Sequence, residues 1–251
     1  MKNVIIRTYK ELQLYSRFLA RNMGLPGYQI HQLCLPEHKL IYIPIPKNAC
    51  TSIKQAFHMI EFGRTFDTNL PVNDPYVDIH DYYKKHSGAF TSLNKLKSQS
   101  EFTRFAIVRD PVERLISCYR NRVVDQGDLQ ADLSALKKMK LSAEPDLSTF
   151  VVNLKEYQMA SKSIEHHSRP QSAFLGGSIK YLDHIFPIER MDDLHEMLRK
   201  ISPDLKMLNR KSRGTKVEFS ELTPNGLEAA IRFYKIDYEL LNRFYQPKIT
   251  P

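Results

Sequence analysis

Leu40-Ile41-Tyr42-Ile43-Pro44-Ile45-Pro46-Lys47-Asn48-Ala49-Cys50-Thr51-Ser52-Ile53-Lys54 is the stretch whose reading decides the fold. Its first six residues are apolar and rich in β-branched side chains, the pattern of a central strand buried on both faces. Pro44 cannot donate to a sheet ladder, so the strand is expected to lie near an edge or to end early. A tight lysine-bearing turn follows, and a helix is expected to open at about Thr51. Ile53, Ala56, Phe57 and Ile60 then fall at i, i+3, i+4 and i+7, one apolar stripe for the core. A helix start carries N–H groups without intrahelical partners and a dipole that favours negative charge. With Lys47, Thr51 and Ser52 beside it, the turn suits an anion.

A second stretch repeats the plan. Phe105-Ala106-Ile107-Val108-Arg109-Asp110-Pro111 runs from a buried strand into a helix striped by Val112, Leu115, Ile116, Tyr119 and Val123. Asp110 and Pro111 have a structural explanation as N-cap and first helical residue, with Glu113 completing a capping-box-like pair. Arg109 differs, because it sits where a strand end faces a helix start, the place where open α/β sheets bind ligands. Its planar fork suits a phosphate. Ser117 lies about 140° from the middle of the apolar stripe, by ~100° per residue, and is free to face a ligand.

The remaining chain reads as helix and loop around these two turns. A helix is expected over 8–23 and is stopped by Gly24-Leu25-Pro26-Gly27, forming an N-terminal arm over residues 1–33. Residues 63–100 are polar and irregular, and 125–165 are charged and helical. A strand is expected over 179–185, then a helix through Leu194, Met197, Leu198 and Ile201. The final helix opens with Thr223 as N-cap and Pro224 at its first position. With no repeat, low-complexity segment or linker in the sequence, one domain is expected.

Bulk properties narrow the function classes. A formal charge of +9 over 251 residues favours an anionic partner without choosing among nucleic acid, acidic glycan and phosphate ligand. The chain has no zinc-finger spacing, basic zipper or long Lys/Arg run, so no nucleic-acid partner is expected. Cys34, Cys50 and Cys118 form an odd set without CxxC spacing, which argues against a disulfide framework or zinc site and for a reducing compartment. The N-terminus lacks a signal-peptide core, and no run of ~18 apolar residues could span a bilayer. A cytoplasmic protein without a transmembrane segment is the expectation. GxxxxGK[ST] is absent and no glycine lies between residues 28 and 62, which weakens an ATPase or GTPase reading.

Pro46-Lys47-Asn48-Ala49-Cys50-Thr51-Ser52-Ile53-Lys54 resembles the 5′-phosphosulfate-binding signature of the carbohydrate sulfotransferases, the family of chondroitin, dermatan and heparan-sulfate enzymes. Residues 108–122, from Val108 to Arg122, resemble that family's 3′-phosphate-binding signature. Weaker echoes occur at His167-Ser168-Arg169-Pro170-Gln171, where the family's Trp is replaced, at residues 185–194 and at residues 233–241. The resemblance runs from about residue 38 to 245.

It implies a three-layer, P-loop-like α/β fold with a central, mainly parallel sheet flanked by helices. It also implies 3′-phosphoadenosine-5′-phosphosulfate (PAPS) as donor, no metal, and transfer of a sulfuryl group to a hydroxyl of a sugar or glycan. By the same resemblance Lys47 would offset charge on the leaving phosphate, while Asn48, Ala49, Cys50, Thr51 and Ser52 would hold the 5′ end. Arg109 and Ser117 would hold the 3′-phosphate, and basic residues over 210–216 would close over the nucleotide. An acceptor hydroxyl needs a general base. The family places it between the two signatures, where this chain offers His58, His80 and His86. His58 is expected to be a surface or packing residue, His80 is preferred for its spacing before Arg109, and His86 is the alternative. The competing readings are an ATP-dependent phosphoryl-transfer enzyme, which needs a glycine-rich loop and a Mg²⁺-binding carboxylate, and a non-catalytic nucleotide- or polyanion-binding protein.

Overall fold

A computed structural model describes residues 29–67, 78–86, 88–205 and 215–248. The expected N-terminal helix and residues 210–214 of the basic stretch lie outside these. The described residues gather into two compact units, each discontinuous in sequence. One comprises the described residues of 29–110 with 179–205, and the other residues 111–178 with 215–248.

The first unit is built on a five-stranded sheet: β1 (Ile30–Leu35), β2 (Leu40–Ile43), β3 (Gly88–Thr91), β4 (Thr103–Val108) and β5 (His184–Pro187). Their order is β3-β1-β2-β4-β5. Tyr42 pairs with Phe105 and Ile107 with Phe186 in parallel ladders, whereas β1 is antiparallel to both β2 and β3. Four of the five strands therefore run the same way, the mainly parallel α/β sheet that the family resemblance implies. Three helices of this unit matter below: α1 (Cys50–Phe62), α2 (Ile79–His86) and, between β3 and β4, α3 (Leu93–Ser98).

Alternation along the strands assigns the faces. Leu33, Leu35, Leu40, Tyr42, Phe105, Ile107 and Phe186 share one core with Ile53 and Phe57 of α1 and Ile79 and Tyr83 of α2. The opposite face, with Ile41, Ile43, Ala106 and Val108, is equally buried. Tyr42 stacks on Phe105 at 5.1 Å and meets Phe57 edge-on at 6.0 Å, contacts worth about 1 kcal/mol each beyond their burial. The chain leaves β2 at Ile43, one residue before Pro44, so the early end takes effect although β2 lies inside the sheet.

Three features depart from the sequence reading. Strand β1 has no counterpart in it, because Gln32 interrupts the apolar pattern and is itself buried. Residues 63–100, expected to be irregular, hold α2, β3 and α3, which are too short to show periodicity and are set by caps. Asp78 Oδ1 accepts from the N–H groups of His80 (2.7 Å) and Asp81 (2.9 Å), and Ser92 Oγ accepts from Lys95 N at 3.2 Å. The strand expected over 179–185 is instead His184–Pro187. It is anchored by Asp183, whose carboxylate accepts from Arg104 Nε (2.9 Å), Arg104 Nη2 (3.0 Å) and the Arg104 backbone N–H (2.8 Å).

The second unit is helical. Helix α4 (Pro111–Cys118) begins at the proline as expected and continues with π geometry over Tyr119–Asp125, where Gln126 N bonds Asn121 O. Around it lie α5 (Leu133–Met139), α6 (Leu147–Val152), α7 (Leu154–Ala160), α8 (Lys162–Ser168), α9 (Gln171–Phe174), α11 (Pro224–Phe233) and α12 (Lys235–Leu240). The remaining helix, α10 (Met191–Arg199), belongs to the sheet unit. Thr223 caps α11 as expected, its Oγ1 accepting from Gly226 N at 3.2 Å. Arg114 is fully buried and closes the end of α8 by donating to the carbonyls of His167 (3.0 Å), Ser168 (3.3 Å) and Arg169. Asp237, also buried, accepts from Gln171 N (2.7 Å) and Ser172 N (2.8 Å). Burial pushes its carboxyl above the usual range, while Arg114 and those N–H groups pull it back. Among the described residues no helix is long and apolar enough to cross a membrane.

Two stability outcomes follow from these charges. Arg114→Met leaves buried carbonyls without their donor and should lower unfolding free energy by about 3 kcal/mol in urea melts. Asp183→Asn should cost about 1 kcal/mol at neutral pH, after discounting for solvent screening. Arg104 holds the Asp183 carboxyl below its ordinary value of 3.8, chiefly through the side-chain hydrogen bond. The native state therefore binds fewer protons, and the contribution is present above pH 3.8 and is lost as pH falls through the lowered value. Thermal melts of the two proteins should converge in acid and separate above it.

Candidate active site at the β2–α1 turn

The turn after β2 is made without glycine, yet it uses left-handed backbone twice. Lys47 has φ 70° and Ala49 φ 55°. Each costs roughly 1–2 kcal/mol for an L-residue. Asn48 between them compensates. Its side chain is fully buried and donates from Nδ2 to the Ile107 carbonyl of β4 at 2.9 Å, while its backbone N–H closes a turn onto Ile45 O at 3.2 Å. The left-handed residues thus lie on either side of an anchor that fixes the turn to the neighbouring strand.

Helix α1 begins at Cys50, one residue earlier than expected, with Ala49 as its N-cap. The first helical bond is Ile53 N to Ala49 O at 3.2 Å, so the N–H groups of Cys50, Thr51 and Ser52 precede the ladder. Thr51 is therefore inside the first turn rather than capping it. Gly63 ends the helix in left-handed geometry, φ 68°, where a side chain would be strained.

With no cap to make, the Thr51 hydroxyl meets a histidine. Thr51 Oγ1 lies 2.9 Å from Nε2 of His80, and Lys54 Nζ lies 3.0 Å from Nδ1 of the same ring. Thr51 and Lys54 are i and i+3 on α1 and share one face, which is why a single imidazole reaches both. Asp78 fixes His80 from the other side by capping α2 through its N–H. Lys54 is 5% exposed, and burial lowers its ammonium from the ordinary lysine range, opposed by Cys50 and Asp78. His31 on β1 is pushed down to about 4, first by burial and then by Lys54 and Lys84.

The hydrogen-bond roles at His80 depend on Lys54. A protonated Lys54 can only donate, so Nδ1 accepts and the ring proton sits on Nε2, donated to Thr51 Oγ1. A neutral Lys54 amine can accept from Nδ1–H, which leaves the Nε2 lone pair to accept the Thr51 hydroxyl hydrogen.

The three candidate histidines separate cleanly. His80 stands on Thr51 and Lys54. His86, at the end of α2, is exposed with its ring stacked on Tyr82 at 4.5 Å. His58 is a packing residue, its Nδ1–H donating to the Arg64 carbonyl (2.8 Å) and its ring set among Phe62, Phe66 and Tyr82. Lys47 and Ser52 are half-buried in the turn, as is Arg109 at the end of β4. Ser117 is half-buried on α4, in the helical unit. Three features of the site have no counterpart in the sequence reading: Asn48 as a strand anchor, Lys54 and Asp78. Lys54 is discoverable from its i+3 spacing to Thr51, and Asp78 from its place two residues before His80 in an Asx-type cap.

Comparison with known proteins bears on this turn. The profile of the sulfotransferase family matches residues 31–246. Carbohydrate sulfotransferase 11 of Rattus norvegicus is 33% identical over 105 residues, which are 41% of this chain and 29% of that protein. Carbohydrate sulfotransferase 12 of Mus musculus is 27% identical over 112 residues, 39% of this chain and 26% of that protein. The aligned segments thus span less than a third of those relatives' lengths. No solved structure matches the chain. With the match running from β1 to the residues after α12, the chain belongs to the sulfotransferase family.

Proposed function

We propose that this chain transfers a sulfuryl group from PAPS to a hydroxyl of a sugar or glycan, with His80 as general base. The observation that carries the reading is the His80 ring seated on Thr51, in the first turn of the helix that the anion-binding turn opens. The carbohydrate sulfotransferase names of the relatives support a sugar acceptor.

The residues present fit the donor's 5′ end. The left-handed turn leaves three successive N–H groups ahead of the helical ladder, at the positive end of a 13-residue helix. Ala49, Cys50, Thr51 and Ser52 would hold the anion there, with Asn48 keeping the turn against β4. Lys47 would offset charge on the leaving group, an electrostatic role whose removal typically costs 10²–10³-fold, about 3–4 kcal/mol. By the family resemblance Arg109 would hold the 3′-phosphate. When bound, PAPS supplies the sulfuryl group and the phosphate that leaves. His80 would take the acceptor's proton as the hydroxyl oxygen becomes a nucleophile.

A transfer assay with labelled donor against a panel of glycans, sugars and simple alcohols tests the reading. Turnover on a sugar is expected. Lys47→Ala should lower it by about 10²-fold and His80→Ala by about 10²–10⁴-fold. Calorimetry should show His80→Ala binding adenosine 3′,5′-bisphosphate as the parent does, indifferent to Mg²⁺. Preference for ATP with Mg²⁺ sinks the donor assignment, nucleotide binding without turnover favours a non-catalytic binder, and full activity of His80→Ala removes its role as base.

A further inference from the structure

The Thr51–His80–Lys54 chain contains one residue more than a simple base requires. Lys54 is buried, lies on the same helical face as Thr51, and contacts the ring nitrogen opposite the one at Thr51. It has no counterpart among the roles assigned to the anion-binding turn. We propose that Lys54 is the positioning partner of His80 and the terminal proton acceptor of a relay, the acceptor's proton reaching Nε2 by way of the Thr51 hydroxyl as the Nδ1 proton passes to Lys54 Nζ. This inference rests on His80 being the base.

Geometry restricts the protonation states. An imidazolium donates from both nitrogens and an ammonium only donates, so the 3.0 Å contact cannot persist with both groups charged. At most one positive charge is shared across it. The working form has a neutral Lys54 amine accepting Nδ1–H, which aims the Nε2 lone pair toward the Thr51 side of the ring. The acceptor O–H bond breaks and its proton bonds to Thr51 Oγ1, as the Thr51 O–H bond breaks and that proton bonds to Nε2. The Nδ1–H bond breaks and that proton bonds to the Nζ lone pair. The electron pair left on oxygen forms the bond to sulfur as the leaving phosphate departs with its own pair.

The ring is neutral at both ends of the step, and the charge comes to rest on lysine. The final arrangement, ammonium on Nδ1 and Nε2–H on Thr51, keeps the same two contacts. Each is a 2.9–3.0 Å hydrogen bond that can reverse direction without moving a heavy atom.

Other titratable groups surround the pair. Asp78 and Cys50 favour the ammonium, and burial opposes it. Among the described residues, His31 on β1 also feels Lys54 together with Lys84 of α2, and His31 is uncharged at neutral pH because burial, Lys54 and Lys84 hold it near 4. Burial is the largest influence on Lys54, and it acts in the direction the relay needs.

Replacement by arginine separates a proton acceptor from a charge that merely orients the ring. Arginine can donate to Nδ1 but stays protonated throughout the working pH range. Lys54→Arg and Lys54→Met should both lower turnover by about 10²-fold, while adenosine 3′,5′-bisphosphate binding and the thermal midpoint stay near the parent's. A second measurement uses the unaltered protein. With ¹⁵N-labelled lysine, the Lys54 resonance should titrate over the same pH range as the acid limb of kcat/KM. Parental turnover in Lys54→Arg overturns the relay. So does a Lys54 that stays protonated at pH values where kcat/KM has already reached its plateau. If His80→Ala loses turnover while Lys54→Arg keeps it, the relay fails and the base assignment stands. If His80→Ala keeps full turnover, both fall together.

Discussion

The Asn48 amide bonded to the Ile107 carbonyl is the interaction on which the site depends. It is buried, it joins the turn after β2 to the adjacent parallel strand, and it fixes a backbone that is unfavourable on both sides of it. A glycine-rich loop would adopt those dihedrals at no steric cost, but would lose more entropy on ordering. Here the strain is met by a hydrogen bond to a strand interior, which is rigid because both of its faces are buried. The result is a preorganised turn at a helix start, fixed by side chains that glycine loops lack.

Consequences spread from that turn along α1. Starting the helix at Cys50 places Thr51 where its hydroxyl is not used by the backbone. Packing Ile53 and Phe57 against the sheet then sets the rotation of the helix, and with it the face shared by Thr51 and Lys54. Asp78 independently sets the start of α2, and so the position of His80. Two short helices, each fixed at its N-terminus by a different device, thereby bring a hydroxyl, an imidazole and an amine into one hydrogen-bonded line. Charge placement elsewhere serves stability: Arg104 holds Asp183 at the entry to β5, and Arg114 closes the end of α8.

Elements that act through near neighbours in the chain are legible from residue order alone. The β-branched runs of β2 and β4, the proline that ends β2, and the Thr223-Pro224 start of α11 are all of this kind. Elements that depend on distant partners are not. Strand β1 carries a buried glutamine that no periodicity rule would place inside a sheet. Helix α2 has only eight residues and draws its definition from one aspartate, so its pattern is submerged in a polar region. Strand β5 begins later than its apolar run because Asp183 is held by Arg104, a residue 79 positions away.

The same division applies to the site. The sequence by itself determined the strand–turn–helix plan, which follows from residue type and short spacing, whereas the three candidate histidines came from the family resemblance. Only the tertiary structure decided that Thr51 is no cap, that His80 rather than His58 or His86 stands on it, and that Lys54 completes the line. Those outcomes turn on the rotation of α1 against the sheet and the start of α2. Both are fixed by burial and by hydrogen bonds between residues 26 to 59 positions apart, distances over which sequence spacing carries no geometric information.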